Sequence, residues 1–224
     1  MNGGLMLEAL FGVLVGALLV IRVEEFRKPR LKLQLVPPYA AKYPDRRPAK
    51  QSHVIHLLAL NEVLPWWGKW MSRNAAVQCR GDISFHHMDG QNIFGRAMPV
   101  KWVRTAEALP MEIRSPKDEL SGFLVDPLRI MSESRVDIAP GETAEFDVVV
   151  RFDEDSECYG WNLESYQSEP PWRNPKWKLP AGRYLLRAQI FSGDQSCSGQ
   201  FRLINDVPAD AFRLEPALPG DRAY

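Results

Sequence analysis

The chain has 224 residues, enough for one domain with a substantial core beside a short terminal segment, and its 45 % hydrophobic and 25 % charged residues exclude a disordered polymer. Twenty-eight Lys and Arg balance 28 Asp and Glu, and no basic stripe with interleaved aromatics appears, which argues against nucleic acid as a partner. Cys79, Cys158 and Cys197 form no CxxC pair, so neither a structural zinc site nor a full disulfide framework is expected.

The first element is an apolar run from Gly3 to Ile21, interrupted only by Glu8. Those residues would span ~29 Å as a helix, close to the ~30 Å hydrocarbon thickness of a bilayer. Neither a basic leader nor a small-residue cleavage site accompanies the run, so it reads as a retained transmembrane anchor rather than a removed signal peptide. Arg22, Arg27, Lys28, Arg30 and Lys32 all follow it, which predicts the large domain on the cytoplasmic side of the cell membrane. Gly12 and Gly16 make a small-xxx-small pair of the kind that lets two such helices pack as a homodimer. The expected organisation is an anchor over 1–22, a juxtamembrane linker over 23–30, a β-sandwich over 31–215 and a flexible tail over 216–224.

Beyond the linker, Leu31, Leu33 and Leu35 alternate with polar residues, the period of a half-buried strand, and Pro37-Pro38 ends it. His53 to Leu60 is an apolar run of strand length. From Ala75 to Phe85 the odd positions are apolar or small, which predicts a buried Cys79 and a solvent-facing His86. Asp89-Gly90 is a tight-turn signal. Residues 114–134 read as loop with one short strand at Phe123 to Val125. Val136 and Ile138 lead through Ala139-Pro140-Gly141-Glu142 into Ala144, Phe146, Val148, Val150 and Phe152, alternating with Glu145, Asp147 and Arg151; the pattern predicts a hairpin.

Four prolines from Gln167 to Pro180 mark a stiff surface loop. Pro180-Ala181-Gly182-Arg183-Tyr184 then opens a strand in the manner of a tyrosine corner, in which a Tyr hydroxyl bonds back to the preceding connection. A last strand, Phe201 to Asn205, completes seven or eight. The fold class expected is therefore all-β, an immunoglobulin-like Greek-key sandwich preceded by one transmembrane helix.

Little in the chain points to catalysis. His53 and His56, and His86 and His87, fall on opposite faces of extended chain within each pair, which disfavours metal binding. Asp153, Asp155 and Glu157 alternate at a strand end but lack the glycine and spacing of a calcium loop. No Ser lies in a nucleophile elbow, and Cys79 is expected inside. No cofactor is called for, and the chain reads as non-enzymatic.

The aromatics form the candidate contact surface: Trp66, Trp67, Trp70, Trp161, Tyr166, Trp172 and Trp177. Such rings plug the ends of a sandwich, dip into the bilayer interface, or make a ligand platform. The segments Asn74-Ala75-Ala76-Val77-Gln78-Cys79-Arg80, Phe94-Gly95-Arg96, Cys158-Tyr159-Gly160-Trp161-Asn162, Trp172-Arg173-Asn174-Pro175-Lys176-Trp177 and Phe201-Arg202-Leu203-Ile204-Asn205 resemble uncharacterised prokaryotic membrane-anchored proteins with a single Ig-like β-sandwich domain. The resemblance covers most of the chain and implies architecture alone. The expected role is a membrane-tethered interaction module with a membrane or cytoplasmic protein partner; the alternative is an extracytoplasmic module binding a ligand or glycan, in which a Cys158–Cys197 bridge would be expected.

Overall fold

In the computed structural model the described residues are 3–42, 51–68, 71–105, 111–114, 120–124, 134–168 and 172–221. Helix α1 (Gly3–Arg27) stops ahead of Pro29, whose ring disfavours helical backbone at Lys28. Residues 10–22 of this helix are exposed throughout, so the sandwich does not cover it. Among the described residues no helix is long and apolar enough to cross a membrane.

Among the described residues fourteen strands follow: β1 (Leu31–Leu35), β2 (Tyr39–Lys42), β3 (Gln51–Asn61), β4 (Ala76–His86), β5 (Met98–Pro99), β6 (Met111–Arg114), β7 (Leu120–Leu124), β8 (Val136–Ile138), β9 (Thr143–Phe152), β10 (Cys158–Gly160), β11 (Lys178–Leu179), β12 (Arg183–Ser192), β13 (Gln195–Ile204) and β14 (Arg213–Pro216). One antiparallel sheet runs β1-β3-β9-β10-β11, with β2 also on β3; the other runs β14-β13-β12-β4-β5, with β8 on β4. Strands β6 and β7 pair apart. The count exceeds the seven or eight expected because several loops contribute strands of two to four residues.

Ile55, Leu57, Phe85, Trp102, Phe146, Leu186 and Ile190 fill the space between the sheets, each at most 1 % exposed. The core is tight at Gly81, where a Cβ would lie 2.4 Å from Ile190 Cδ1. Only glycine fits there.

Three strand-level expectations need correction. Val136–Ile138 and Thr143–Phe152 are not a hairpin: β8 pairs with β4 and β9 with β3, so the turn at Gly141 carries the chain from one sheet to the other. Alternation in β4 holds from Cys79 to Phe85 but not before it, because Gln78 adopts a left-handed φ of 51° and breaks the register; Ala76 is buried and Val77 is 53 % exposed. His86 is not at the surface. It is 1 % exposed, and its Nδ1 donates to Gly90 O at 2.9 Å, since a carbonyl can only accept, while Nε2 meets Ser84 Oγ at 2.8 Å.

Each end of the sandwich is closed by a fully buried asparagine. Near the helix, Asn61 Nδ2 donates to Asn74 O and Ile138 O, and Oδ1 accepts from Arg30 N, all at 3.1 Å. Its own backbone pairs with Gly141 and Glu142. At the opposite end Asn205 Nδ2 donates to Pro180 O at 3.0 Å, and Arg151 Nη1 reaches Asn205 Oδ1 at 3.3 Å and Val207 O at 2.6 Å. Tyr184 OH also donates to Pro180 O, at 2.8 Å, the bond of a tyrosine corner. Of residues 216–224, Pro216 belongs to β14, and Asp221 takes a two-pronged contact from Arg202 at 2.6 and 2.7 Å.

Candidate functional site

The seven aromatic residues do not share one surface. Trp66 and Trp67 lie in a single 3-10 turn between β3 and β4, where Gly68 N bonds back to Pro65 O at 2.8 Å. Trp66 is 80 % exposed. Trp70 lies outside the described residues.

Trp161, Tyr166 and Trp172 meet one another, with ring centroids 5.8 to 6.5 Å apart. They cover Val54, Val150, Phe152 and Tyr159 on the outer face of the first sheet. This face is apolar because β9 contains an unpaired residue. Ile55 pairs with Val149 and His56 with Asp147, leaving Val148 as the extra residue; Val148 and Val149 both join the main core, and Val150 and Phe152 turn outward. Trp161, the 3-10 turn Leu163–Gln167 that carries Tyr166, and Trp172 fold back over them. Trp172 holds a left-handed φ of 67° with its N–H on Ser165 O at 3.1 Å, a conformation costing a non-glycine residue ~1 kcal/mol or more and maintained here by the packing of its ring.

Trp177 takes no part in this layer. At 1 % exposure it sits in the main core, 5.0 Å from the Phe94 ring, under the Arg96 guanidinium at 4.6 Å, with Nε1 donating to Glu164 at 3.3 Å. Trp172 is 9 % exposed and Tyr166 4 %, so among the described side chains of the candidate surface the exposed ones are Trp66 and, in part, Trp161.

Beneath the aromatic layer lies a group that strand alternation assigns to solvent. Lys101 Nζ contacts Asp147 Oδ2 at 2.6 Å, and His56 Nδ1 lies 2.9 Å from Asp147 Oδ1; the three side chains are 3 to 4 % exposed. Lys101 Nζ also lies 5.8 Å from the Tyr166 ring centroid. The strands bring these residues together directly, since His56 and Asp147 are register partners and Asp147 N bonds Lys101 O. A signal was present in the unbroken apolar run Val148-Val149-Val150, which marks a strand covered on both faces. With the aromatic layer in place the cluster reads as an internal ion pair, in which loss of either charge would strand the other away from water.

The remaining candidates are accounted for by local pairing. Asp153 meets His53 Nε2 at 2.9 Å, and Asp155 takes Arg173 Nε at 2.6 Å. Glu157 pairs with Lys178 and accepts from Tyr159 OH. The Lys178 ammonium holds the Glu157 carboxyl below its ordinary range. Among the described residues no group of three or more His, Cys, Asp and Glu side chains is placed to hold a metal ion. The cysteines are free thiols, Cys158 in the first sheet and Cys197 in the second, so the bridge considered between them is not formed. Burial raises all three above the ordinary thiol value, Cys197 to about 11, which leaves them poor nucleophiles. A Cβ added at Gly12 or Gly16 on α1 would meet open space, with nothing beyond the helix's own backbone within 4 Å. Comparison of the chain with protein-family models, with curated proteins and with solved structures yields no match.

Proposed function

We propose that this chain is a membrane-anchored, non-enzymatic interaction module: an immunoglobulin-like sandwich carried on a single spanning helix. The observation that carries the reading is α1. Its described apolar residues are bare on every side, Leu10, Phe11, Val13, Leu14, Leu18, Leu19, Val20 and Ile21 each being more than half exposed. A helix apolar around its whole circumference has no face to turn to water and needs an apolar solvent. The sequence extends this character back to Gly3, and the apolar length matches a bilayer.

The immunoglobulin-like assignment draws on strand order. The runs β1-β3-β9 and β13-β12-β4-β5 correspond to the A-B-E and G-F-C-C′ neighbours of such sandwiches, with β10 and β11 occupying the edge beside E. The tyrosine corner at Tyr184 sits where that topology puts it, at the start of the penultimate long strand. A tethered sandwich searches for partners in two dimensions, so a weak contact suffices.

The test is extraction of membranes from cells expressing the full chain. Retention in the pellet through alkaline carbonate supports the anchor, and release into the supernatant overturns it. Reporter fusions at Tyr224, one active only in the cytoplasm and one only outside, then assign the side. Activity of the cytoplasmic reporter is expected.

A further inference from the structure

We infer that the end of the sandwich nearest α1 is itself a lipid-docking surface, with Trp66, Val63 and Val77 seated in the headgroup layer of the bilayer that holds the helix. The inference rests on the anchor reading and adds an orientation to it. Three exposed apolar side chains cluster at this end: Trp66 at 80 %, Val63 at 61 % and Val77 at 53 %.

Their placement follows from hydrogen bonds. Glu62 N bonds Arg30 O at 2.9 Å, so Val63 begins a loop at the foot of the helix. That loop passes through Trp66 and returns to the same foot, where Arg73 Nη1 binds Phe26 O and Lys28 O and Asn74 N binds Arg27 O. Val77 O accepts from Ser192 Oγ at 2.9 Å, and Lys28 Nζ lies 3.7 Å from Asp194 in the neighbouring turn. Val63 Cγ1 lies within 3.0 Å of a Cβ built on Gly141, which puts the loop against the turn joining the two sheets.

Distance decides the occupant. The apolar run ends at Ile21 and the helix at Arg27, a rise of ~9 Å. The headgroup layer on each side of a bilayer is roughly 5–8 Å thick. If Ile21 marks the hydrocarbon boundary, a side chain the size of indole projecting from this end reaches the headgroups. Trp is favoured at that depth because its ring is amphipathic. Exposed Arg22, Arg30 and Lys32 stand around the foot beside exposed Glu24, Glu25, Glu142 and Asp194, so basic side chains are available there to lipid phosphates but the foot as a whole is of mixed charge.

The test reconstitutes the full chain into phosphatidylcholine vesicles carrying bromine at carbons 6 and 7 of one acyl chain, a shallow fluorescence quencher. Wild type is expected to be quenched, and Trp66→Phe to lose the larger part of that quenching while its near-ultraviolet circular dichroism is unchanged. Undiminished quenching in Trp66→Phe, or quenching of wild-type Trp66 by aqueous iodide as full as in the lipid-free unfolded chain, overturns the inference. Carbonate extraction of the same vesicles separates the two claims. Released protein sinks the anchor, while retained protein whose Trp66 the bromine does not sense sinks only the docking.

Discussion

Two aromatic groups that look alike in the sequence differ in what they stabilise. Trp161, Tyr166 and Trp172 are folded back onto the outer face of the first sheet, over a buried Lys101–Asp147 ion pair, and so belong to the fold. Trp66, with Val63 and Val77, projects from the helix end of the sandwich and touches little of its own chain. The difference lies in what each connection can reach. The 161–172 segment starts beside a face that the unpaired Val148 has made apolar, whereas the connection after Glu62 starts at the foot of α1, where Asn61 already closes the end of the sandwich with a full set of bonds. Contacts of the first kind are expected to show in stability; contacts of the second kind, in membrane behaviour.

The largest break in that comparison is expected from Lys101→Met. Removing the ammonium strands the Asp147 carboxylate under the aromatic layer, with the His56 ring left facing it. Loss of one partner of a buried pair costs about 3–5 kcal/mol, so denaturant midpoints should fall sharply. Replacing both partners, Lys101→Met with Asp147→Leu, should recover most of the loss, because the desolvated charges go together. If the single variant unfolds at the wild-type midpoint, the pair is solvated and the aromatic layer does not seal it.

Trp172→Ala is expected next, at about 3 kcal/mol, the lower part of the range for deleting a large buried aromatic. The ring makes two aromatic contacts and is nearly buried, and its loss leaves the left-handed φ of 67° uncompensated. Hydrogen exchange should rise selectively at Ser165 to Ser168, where the layer is pinned. A uniform rise across both sheets would instead make the layer inseparable from the core.

These residues also show how much the sequence disclosed. Strands β1, β12 and the central part of β4 follow from two-residue alternation, β3 from an apolar run of strand length, and Tyr184 from the Pro-Ala-Gly-Arg-Tyr spacing, because each depends on local geometry alone. Single residues defeated the rest. Gln78 and Val148 each flip the side chains beyond them to the other face, and nothing in a Gln or a Val announces a left-handed or unpaired backbone. The turn at Gly141 would look the same joining two strands of a hairpin or two sheets. For the tryptophans, composition marks a connection rich in large rings, but whether it folds back depends on the face beside it, which the bulge sets.

A smaller effect is expected from pH. Glu157 joins the aromatic layer to β11 through Lys178 and Tyr159, and Lys178 keeps its carboxyl below the ordinary 4.5. A carboxyl depressed in the folded state binds its proton more readily when unfolded, so its contribution is full above 4.5 and is lost as pH falls through the lower folded value. The pair is half exposed, and its worth is below about 1 kcal/mol. Glu157→Gln should flatten the acid limb of the stability curve slightly, below pH 4.5 only.

Trp66→Ser should change stability least, by no more than about 0.5 kcal/mol, as expected for an exposed side chain away from a cap, core or buried bond. Its neighbour Leu64, not Trp66, supplies the packing of the turn, since Leu64 is 7 % exposed and lies against Gly68. Nearly unaltered unfolding together with weaker seating on vesicles is the combination that assigns Trp66 to the lipid surface. A loss as large as that of Trp172→Ala would mean that the 62–74 loop packs on its own domain, and the contrast between the two aromatic groups would vanish.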